Sequence, residues 1–554
     1  MKDFFQKLKF NWKSGLTVSL VAIPLSISLA VAAGASPTQG ILTAIWAGAV
    51  ASLFGGSNYN IVGPTGALSG ILATFAFVSG PDKFGFLAVL SGFLILCAWA
   101  LKFERYLVYI PASTIQGFTL GVAFIIAFNN FNFAFGLSGL KTHERFIENL
   151  NESFHNITNF SPAALAIFVA FLVAMIGVER VIKKYRSLPQ LPPATIIAPV
   201  GMILGYLSSV NIIPLSIATL GSKFSDIAPK IFLPTSLSGG VNRSLIVTAF
   251  TVALVAILET MLSAKIADGM TKTKHDKRKE MFGLGIANVV CGFFGGIPST
   301  AALARTALNI KSGATHRSSA FFSAVMVAAI SFFLLSYFKF LPLPVIAAIL
   351  TMVALKMIER EHLKRMWEID KKSFWVAIAV AGVTIYEDPI VGILFGAAVS
   401  LLIFLDALSK GQYDVVVNNA ENKVSSHYHG NDLNEITENS HTLVYSIKGH
   451  LTYVDGQAHI ARFESDLKGV ENVILRLREL FLIDLDGIDA FDEIVGMLQK
   501  QGKKVFITGT NVFSLAILRQ SRKFAELEKQ GRVFKHTSVA LRSLGCELLI
   551  AHPQ

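Results

Sequence analysis

Apolar segments recur throughout the first 405 residues, a pattern that points to a bilayer and not to one aqueous core. Fourteen candidate spans can be drawn: 14–34, 40–54, 65–79, 84–101, 112–136, 161–182, 193–210, 245–268, 281–296, 299–310, 318–338, 342–358, 373–386 and 389–405. Several are shorter than the ~20 residues a helix needs for a full crossing. Only 16% of residues are charged, against roughly a quarter in soluble domains. With 53% hydrophobic residues and a mean hydropathy of +0.55, the composition excludes a disordered chain, a fibrous repeat and an ordinary cytosolic enzyme. The apolar stretch after the basic start (Lys2, Lys7, Lys9, Lys13) contains Pro24 and runs on into further spans, so it reads as a first membrane helix and not a cleaved signal.

Loop charges orient the spans. With the N-terminus inside, the loops after even-numbered spans hold Lys102 and Arg105, then Arg180, Lys183, Lys184 and Arg186, then Lys272 through Lys279, Lys311 and Arg317, and finally Arg360 through Lys372. The opposite loops hold few basic residues: Lys83, Lys141, Arg145, Lys223, Lys230, Arg243 and Lys339. That asymmetry fits an even number of spans with both termini in the cytoplasm. It also accounts for the net charge of +12 without a nucleic-acid partner. Three scattered cysteines, Cys97, Cys291 and Cys546, make neither a disulfide framework nor a zinc cluster.

The domain reading is a transmembrane unit over 1–405, a polar linker over 406–440 and a soluble domain over 441–554. Strand-like runs at Leu443–Ile447, Val473–Leu477 and Val505–Thr508 alternate with helix-like runs near 455–467, 487–500, 511–521 and 537–545, which indicates a small α/β domain. Glu387-Asp388-Pro389 reads as the turn between the last two spans.

Two short spans are interrupted alike. Ile61-Val62-Gly63-Pro64 precedes Thr65-Gly66-Ala67, and Gly295-Gly296-Ile297-Pro298 precedes Ser299-Thr300-Ala301-Ala302. They hold the third place in the first and second sets of seven spans. Paired breaks at corresponding places mark an inverted-repeat transporter and its central site. A helix starting mid-membrane has free N–H groups and about half a positive charge at its N-terminus, so two such ends form a pocket for a small anion. Two loops between complete spans would give the same pattern.

Two ionisable residues lie inside apolar spans, where they are expensive and usually functional. Arg305 follows the second break by about one turn and adds positive potential to the pocket. Glu259 lies in the eighth span, with Ser263 one turn further along the same face. A desolvated carboxylate favours its protonated form, which makes Glu259 a candidate carrier of a coupling proton. The other reading is a structural Glu259–Arg305 ion pair. The chain shows no phosphate-binding loop for an ATP-driven pump, no metal-ligand spacing and no catalytic constellation. No cofactor is expected.

These residues resemble the SulP family, the sulfate-permease type of anion transporters. The resemblance rests on Ala22-Ile23-Pro24-Leu25, Gly63-Pro64-Thr65, Leu258-Glu259-Thr260-Met261-Leu262-Ser263-Ala264, Asp268-Gly269-Met270-Thr271 with Thr273-Lys274-His275, and Phe294-Gly295-Gly296-Ile297-Pro298 leading to Ala304-Arg305-Thr306. The C-terminal segment is similar to the STAS domain of these permeases. The resemblance implies a polytopic α-helical protein of 14 spans as a 7+7 inverted repeat. Spans 1–4 and 8–11 would form a core domain and spans 5–7 and 12–14 a gate domain, followed by a cytoplasmic STAS domain. It further implies a homodimer in the membrane, a bacterial inner membrane for a chain of this type, and elevator-like movement of core against gate. Thr65, Gly66, Ala67, Thr300, Ala301 and Ala302 would line the anion site with Arg305, and Glu259 with Ser263 would serve coupling. Similar sodium-coupled bicarbonate permeases carry aspartate at the position of Glu259 and lack the arginine, which favours a proton over sodium here.

The expectation is secondary active transport of a small anion by proton symport or anion exchange. Sulfate leads, ahead of bicarbonate and C4-dicarboxylates. An anion channel or voltage-responsive protein on the same fold is the alternative, as is a nucleobase permease, which would be expected to lack the C-terminal domain. Related anti-sigma-factor antagonists carry a phosphorylated hydroxyl residue where this chain has Asp486 in Asp484-Leu485-Asp486-Gly487, so that modification is excluded there. The acidic cluster then serves dimer or partner contacts, or simply caps a helix.

Overall fold

The computed structural model describes residues 2–109, 111–138, 140, 143, 145–185, 193–214, 217–224, 243–387, 389–419, 426–428, 440–465 and 467–546. Lys141, Arg186, Lys230 and Asp388, and residues 420–425 and 429–439 of the expected linker, lie outside these. The chain divides into two compact units, Met1–Ser400 and Leu401–Gln554.

In the first unit a helix lies on each of the fourteen apolar segments: α1 (Lys2–Ala32), α2 (Pro37–Phe54), α3 (Gly66–Ser79), α4 (Phe84–Ala100), α5 (Ala112–Asn129), α6 (Pro162–Lys184), α7 (Pro193–Ser209), α8 (Arg243–Thr271), α9 (Lys277–Phe293), α10 (Leu303–Lys311), α11 (Ser318–Leu334), α12 (Leu343–Met357), α13 (Lys371–Tyr386) and α14 (Pro389–Ser409). Seven helical stretches among the described residues are long and apolar enough to cross a membrane. Several starts carry the expected side-chain caps. Ser36 and Gln39 form a capping box ahead of α2, and Ser161, Asp276 and Asp370 cap α6, α9 and α13.

Packing sorts these helices into two groups. α4 and α2 lie against α9, α1 and α2 against α11, and α8 against α3, α4 and α10. In the second group α5 lies against α12 and α13, and α6 against α7 and α12, and the two groups meet where α3 packs on α5 and α1 on α7 and α12. Between α2 and α3, and between α9 and α10, the chain is extended. There β1 (Val62–Gly63) pairs antiparallel with β2 (Thr300–Ala301), Val62 opposite Ala301 and Gly63 opposite Thr300. The pairing gives the extended backbone of each break hydrogen-bond partners in the other.

The second unit is an α/β sandwich. The strands are β3 (Gln412–Asn419), β4 (Ser426–Tyr428), β5 (Ser440–Leu451), β6 (Asn472–Arg476), β7 (Leu480–Ile483), β8 (Lys504–Thr508) and β9 (Val533–Phe534). They form a sheet in the order β4-β3-β5-β6-β8-β9, with β7 paired to β5. β3 runs antiparallel to β5, whereas β5, β6, β8 and β9 are parallel. The period-2 alternation of the strands builds two faces. Leu443, Tyr445, Ile447, Val473, Leu475, Val505 and Ile507 pack with Phe491, Ile494 and Phe524 from helices α16 (Leu485–Lys500) and α18 (Arg522–Lys529). Val444, Ile474 and Phe506 turn to the other face with Ala540 and Leu541 of α19 (Thr537–Ser543). Two shorter helices are α15 (Gly456–Ala461) and α17 (Val512–Leu518).

The structure differs from the linker reading of 406–440. α14 runs to Ser409, and β3 pairs with β5 along its whole length. The run Tyr413-Asp414-Val415-Val416-Val417 alternates inward and outward, burying Val415 and Val417 on one face. The polar residues that follow hide this short strand when the segment is judged by composition.

Candidate functional site

The second break differs in detail from the sequence reading. Thr300 and Ala301 are extended in β2, and α10 begins at Leu303, with Ala302 as its N-cap. Arg305 therefore lies in the first turn of α10, not one turn beyond it. Pairing with β1 draws Thr300 and Ala301 out of the helix. The first break matches closely: α3 opens at Gly66 with Thr65 as N-cap. Neither cap makes a side-chain hydrogen bond to its helix. The first N–H groups of a helix have no intrahelical acceptor, so both starts keep donors available.

The predicted residues converge here but do not share one role. The Thr65 hydroxyl donates to Glu259 Oε2 over 2.9 Å. Thr300 is fully buried and donates to the Ala256 carbonyl at 3.1 Å. Its single proton being used there, it accepts from Thr260 at 2.8 Å. The Thr260 oxygen in turn accepts the Ala301 N–H at 3.1 Å. Ser263 is buried too, with its hydroxyl 3.0 Å from both Asn60 Oδ1 and Thr306 Oγ1. Its bonds thus go to the wall of the site and not to Glu259. Gly66 and Ala67 are buried, whereas Glu259 and Ala302 are partly accessible.

Arg305 decides the electrostatics. It is 2% exposed. Nη2 donates across to the Pro64 carbonyl of the other arm. Nη1 is buried and has no hydrogen-bond partner. Among the described residues no ion pair within 4.0 Å joins Arg305 to Glu259. The guanidinium sits so close to Gly63 that a Cβ there would come 2.8 Å from Nη1. A buried cation with an unpaired donor is costly unless something completes it. The groups present suit an anion of a few oxygens: the unpaired guanidinium Nη1 and two helix N-termini, with the Thr65 hydroxyl spending its proton on Glu259. Among the described residues no group of histidine, cysteine and carboxylate side chains could hold a metal ion.

Several residues that fix this geometry escaped the sequence reading. Asn60, Thr260, Thr306, Asn288 and Glu280 are buried polar residues at or inside apolar segments. Asn288 holds the approach to β2, donating to the Ser299 carbonyl at 3.0 Å and accepting its N–H at 2.8 Å. Their signal was polarity where the pattern demands an apolar residue. Glu280 was masked by the basic loop just before it.

Residues 8–380 match the Sulfate permease family. The chain belongs to that family. Residues 434–540 match the STAS domain. The permease is 28% identical over 536 residues to the putative sulfate transporter YvdB of Bacillus subtilis, covering 95% of this chain and 96% of that one. It is 25% identical over 427 residues to the bicarbonate transporter BicA of Picosynechococcus, covering 75% and 73%. Among solved structures, that of SLC26A9 superposes with a TM-score of 0.81 at 16% identity, covering 98% of this chain and 90% of that one. The BicA transmembrane domain superposes with a TM-score of 0.61 at 22% identity, covering 71% and 98%. The family consists of membrane transporters, not enzymes, and this chain is an anion transporter of that kind.

In the STAS domain, Asp484 caps α16, accepting the Gly487 N–H at 2.8 Å. Asp486 is exposed in the first turn. Capping thus falls to the first acidic residue of the cluster and not the second. A second ionisable cluster lies below β5. Asp455 and His459 are fully buried. Asp455 Oδ1 accepts from the Thr452 N–H at 2.8 Å, and Oδ2 lies 2.9 Å from His450 Nδ1 and 3.5 Å from His459 Nε2. Burial pushes the Asp455 carboxyl up, but the nearby His459 imidazole, the Thr452 N–H and the His450 imidazole outweigh it and leave it below the ordinary carboxylate range. Burial holds His459 below the usual imidazole value, and its Nδ1 lies 2.7 Å from the Tyr445 hydroxyl.

Proposed function

We propose that the protein is a secondary active transporter whose substrate anion completes the unpaired Nη1 of Arg305. The observation that carries this reading is the buried guanidinium, tied to one arm of the β1–β2 crossing and rooted in the other, with no carboxylate within ion-pair distance. An anion at that point would also meet the uncapped starts of α3 and α10. Sulfate leads, supported by the YvdB relative along nearly the whole chain. Bicarbonate follows, supported by BicA, then a C4-dicarboxylate.

Glu259 is proposed as the proton carrier. The residue is partly accessible and its carboxylate accepts from Thr65, so protonation would alter the arm that also starts α3. Ser263 would act through the wall of the site. Thr65, Gly66, Ala67, Thr300, Ala301 and Ala302 would shape the pocket largely through backbone, since the Thr300 hydroxyl is engaged elsewhere. Fourteen spans as a 7+7 repeat, a transmembrane unit over 1–405 with the STAS domain from about 441 on the cytoplasmic side of a bacterial inner membrane, homodimers and elevator movement complete the proposal. The two packing groups of helices supply natural moving bodies.

Uptake of labelled sulfate, bicarbonate and fumarate into proteoliposomes, with and without pH and sodium gradients, tests it. Proton symport or exchange predicts uptake indifferent to sodium. Sodium-dependent uptake that ignores a pH gradient overturns the coupling.

A further inference from the structure

We infer that Glu280 is a positioning residue for the anion site, acting through Asn60 on the crossing of the two arms; this rests on the site proposed above. Glu280 lies in the first turn of α9 and is 4% exposed. Its carboxylate is saturated by a single stretch of chain. Oε2 accepts the N–H groups of Gly56 and Ser57, each at 2.7 Å, and Oε1 accepts Asn60 Nδ2 at 2.6 Å. Charge-assisted bonds of this kind are about twice as strong as neutral ones. The backbone lies hard against α9 here. A Cβ on Gly56 would fall 2.1 Å from the Asp276 carbonyl, and one on Gly283 would fall 2.5 Å from the Gly55 nitrogen.

The segment so held leads straight into β1. Asn60 uses its remaining capacity on α8, donating to the Thr260 carbonyl at 3.2 Å and accepting from Ser263 at 3.0 Å. The next residue, Ile61, donates its N–H to Thr306 Oγ1 at 3.2 Å and accepts the Ala302 N–H at 3.0 Å. Thus the carboxylate of α9 fixes the residue pair from which β1, β2 and the start of α10 take their register. It makes no hydrogen bond to Thr65, Glu259 or Arg305. A bond between α9 and the wall alone would serve stability. Three donors drawn from the one segment that sets the spacing of Pro64 and Arg305 serve position.

Glu280→Gln presents an amide where Asn60 also presents one, so Asn60 loses its acceptor while Gly56 and Ser57 keep theirs. The full chain is reconstituted and labelled sulfate uptake is measured, with hydrogen exchange of segments 59–67 and 299–305 followed in detergent without anion. Glu280→Gln is expected to raise KM at least ~10-fold with Vmax changed less than ~3-fold, and to speed exchange in those two segments alone. Wild-type KM and exchange in Glu280→Gln overturn the inference, as does faster exchange spread over the whole chain. If Glu280→Gln fails to fold, Asn60→Ser carries the same measurements with the same outcomes. Arg305→Ala separates the two ideas. Its wild-type affinity would remove the anion site, whereas its loss of affinity beside an unaffected Glu280→Gln would remove only the role of Glu280.

Discussion

The two breaks share a backbone plan and differ in their side chains. Each has an extended pair of residues, an uncapped helix start and small residues. The first arm ends in Thr65, whose hydroxyl reaches the partly accessible Glu259. The second arm buries its threonine completely and instead presents Arg305, which reaches back to Pro64. The β1–β2 pairing therefore fixes where the helix ends meet, and side chains then give one arm the charge and the other the link to a titratable group. Under the proposed function, anion affinity belongs to the second arm and coupling to the first.

The largest expected effect breaks the second arm. Arg305→Ala should lower anion affinity by at least ~30-fold, since truncating one partner of a buried charged contact costs about 2–5 kcal/mol. Equilibrium binding of labelled sulfate to the purified protein checks this. Gly63→Ala leaves the arginine in place but drives a methyl group against Nη1. A loss of ~10-fold is expected, because overpacking typically costs about 1–3 kcal/mol, and an unfolding midpoint near wild type would locate the effect in the site.

Glu259→Gln tests the first arm. Uptake should cease to respond to an inward pH gradient while sulfate affinity changes less than ~10-fold, as a neutral side chain at Glu259 mimics one protonation state only. Unchanged pH dependence would move coupling elsewhere. The pair Thr65→Val and Thr300→Val sharpens the contrast. Thr300→Val leaves a buried carbonyl and the Thr260 hydroxyl without their partner, at about 1–3 kcal/mol. It should lower the unfolding midpoint, whereas Thr65→Val should mainly shift coupling. Equal midpoints for the two would erase the asymmetry.

The smallest expected effect on transport comes from the STAS domain. Asp455→Asn should leave sulfate KM unchanged and reduce stability at neutral pH. A carboxyl held below its unfolded value stabilises the fold above that value, about 3.9, and the contribution disappears as pH falls through the lower folded value. His459, held below its usual value, also opposes acidification, because protonation favours the unfolded chain once pH falls below about 6.5. Thermal unfolding of the full chain between pH 7 and pH 3 should therefore show a smaller acid loss for Asp455→Asn than for wild type.

Much of this was legible in order along the chain. Hydrophobic runs placed a helix on each of fourteen segments, because a bilayer admits little else. Matched Gly/Pro clusters placed both breaks, and Glu259 and Arg305 stood out as ionisable residues in apolar surroundings. Strands β7 and β9 were not legible because they are four and two residues long, and β3 was hidden by the polar residues that follow it; helix α18 also escaped, and all gain their stability from neighbours distant in sequence. Nor was Glu280, whose three partners lie 220 to 224 positions away.

The sequence by itself determined the architecture, the two mid-membrane helix starts and the presence of one cation among them, because hydropathy and backbone chemistry are local properties. Only the tertiary structure decided where each hydroxyl spends its proton, that Arg305 leaves Nη1 unpaired, and that Ser263 and Thr300 build the wall. Hydrogen-bond donors are exhausted one by one across long separations, and that accounting exists only once the arms have met.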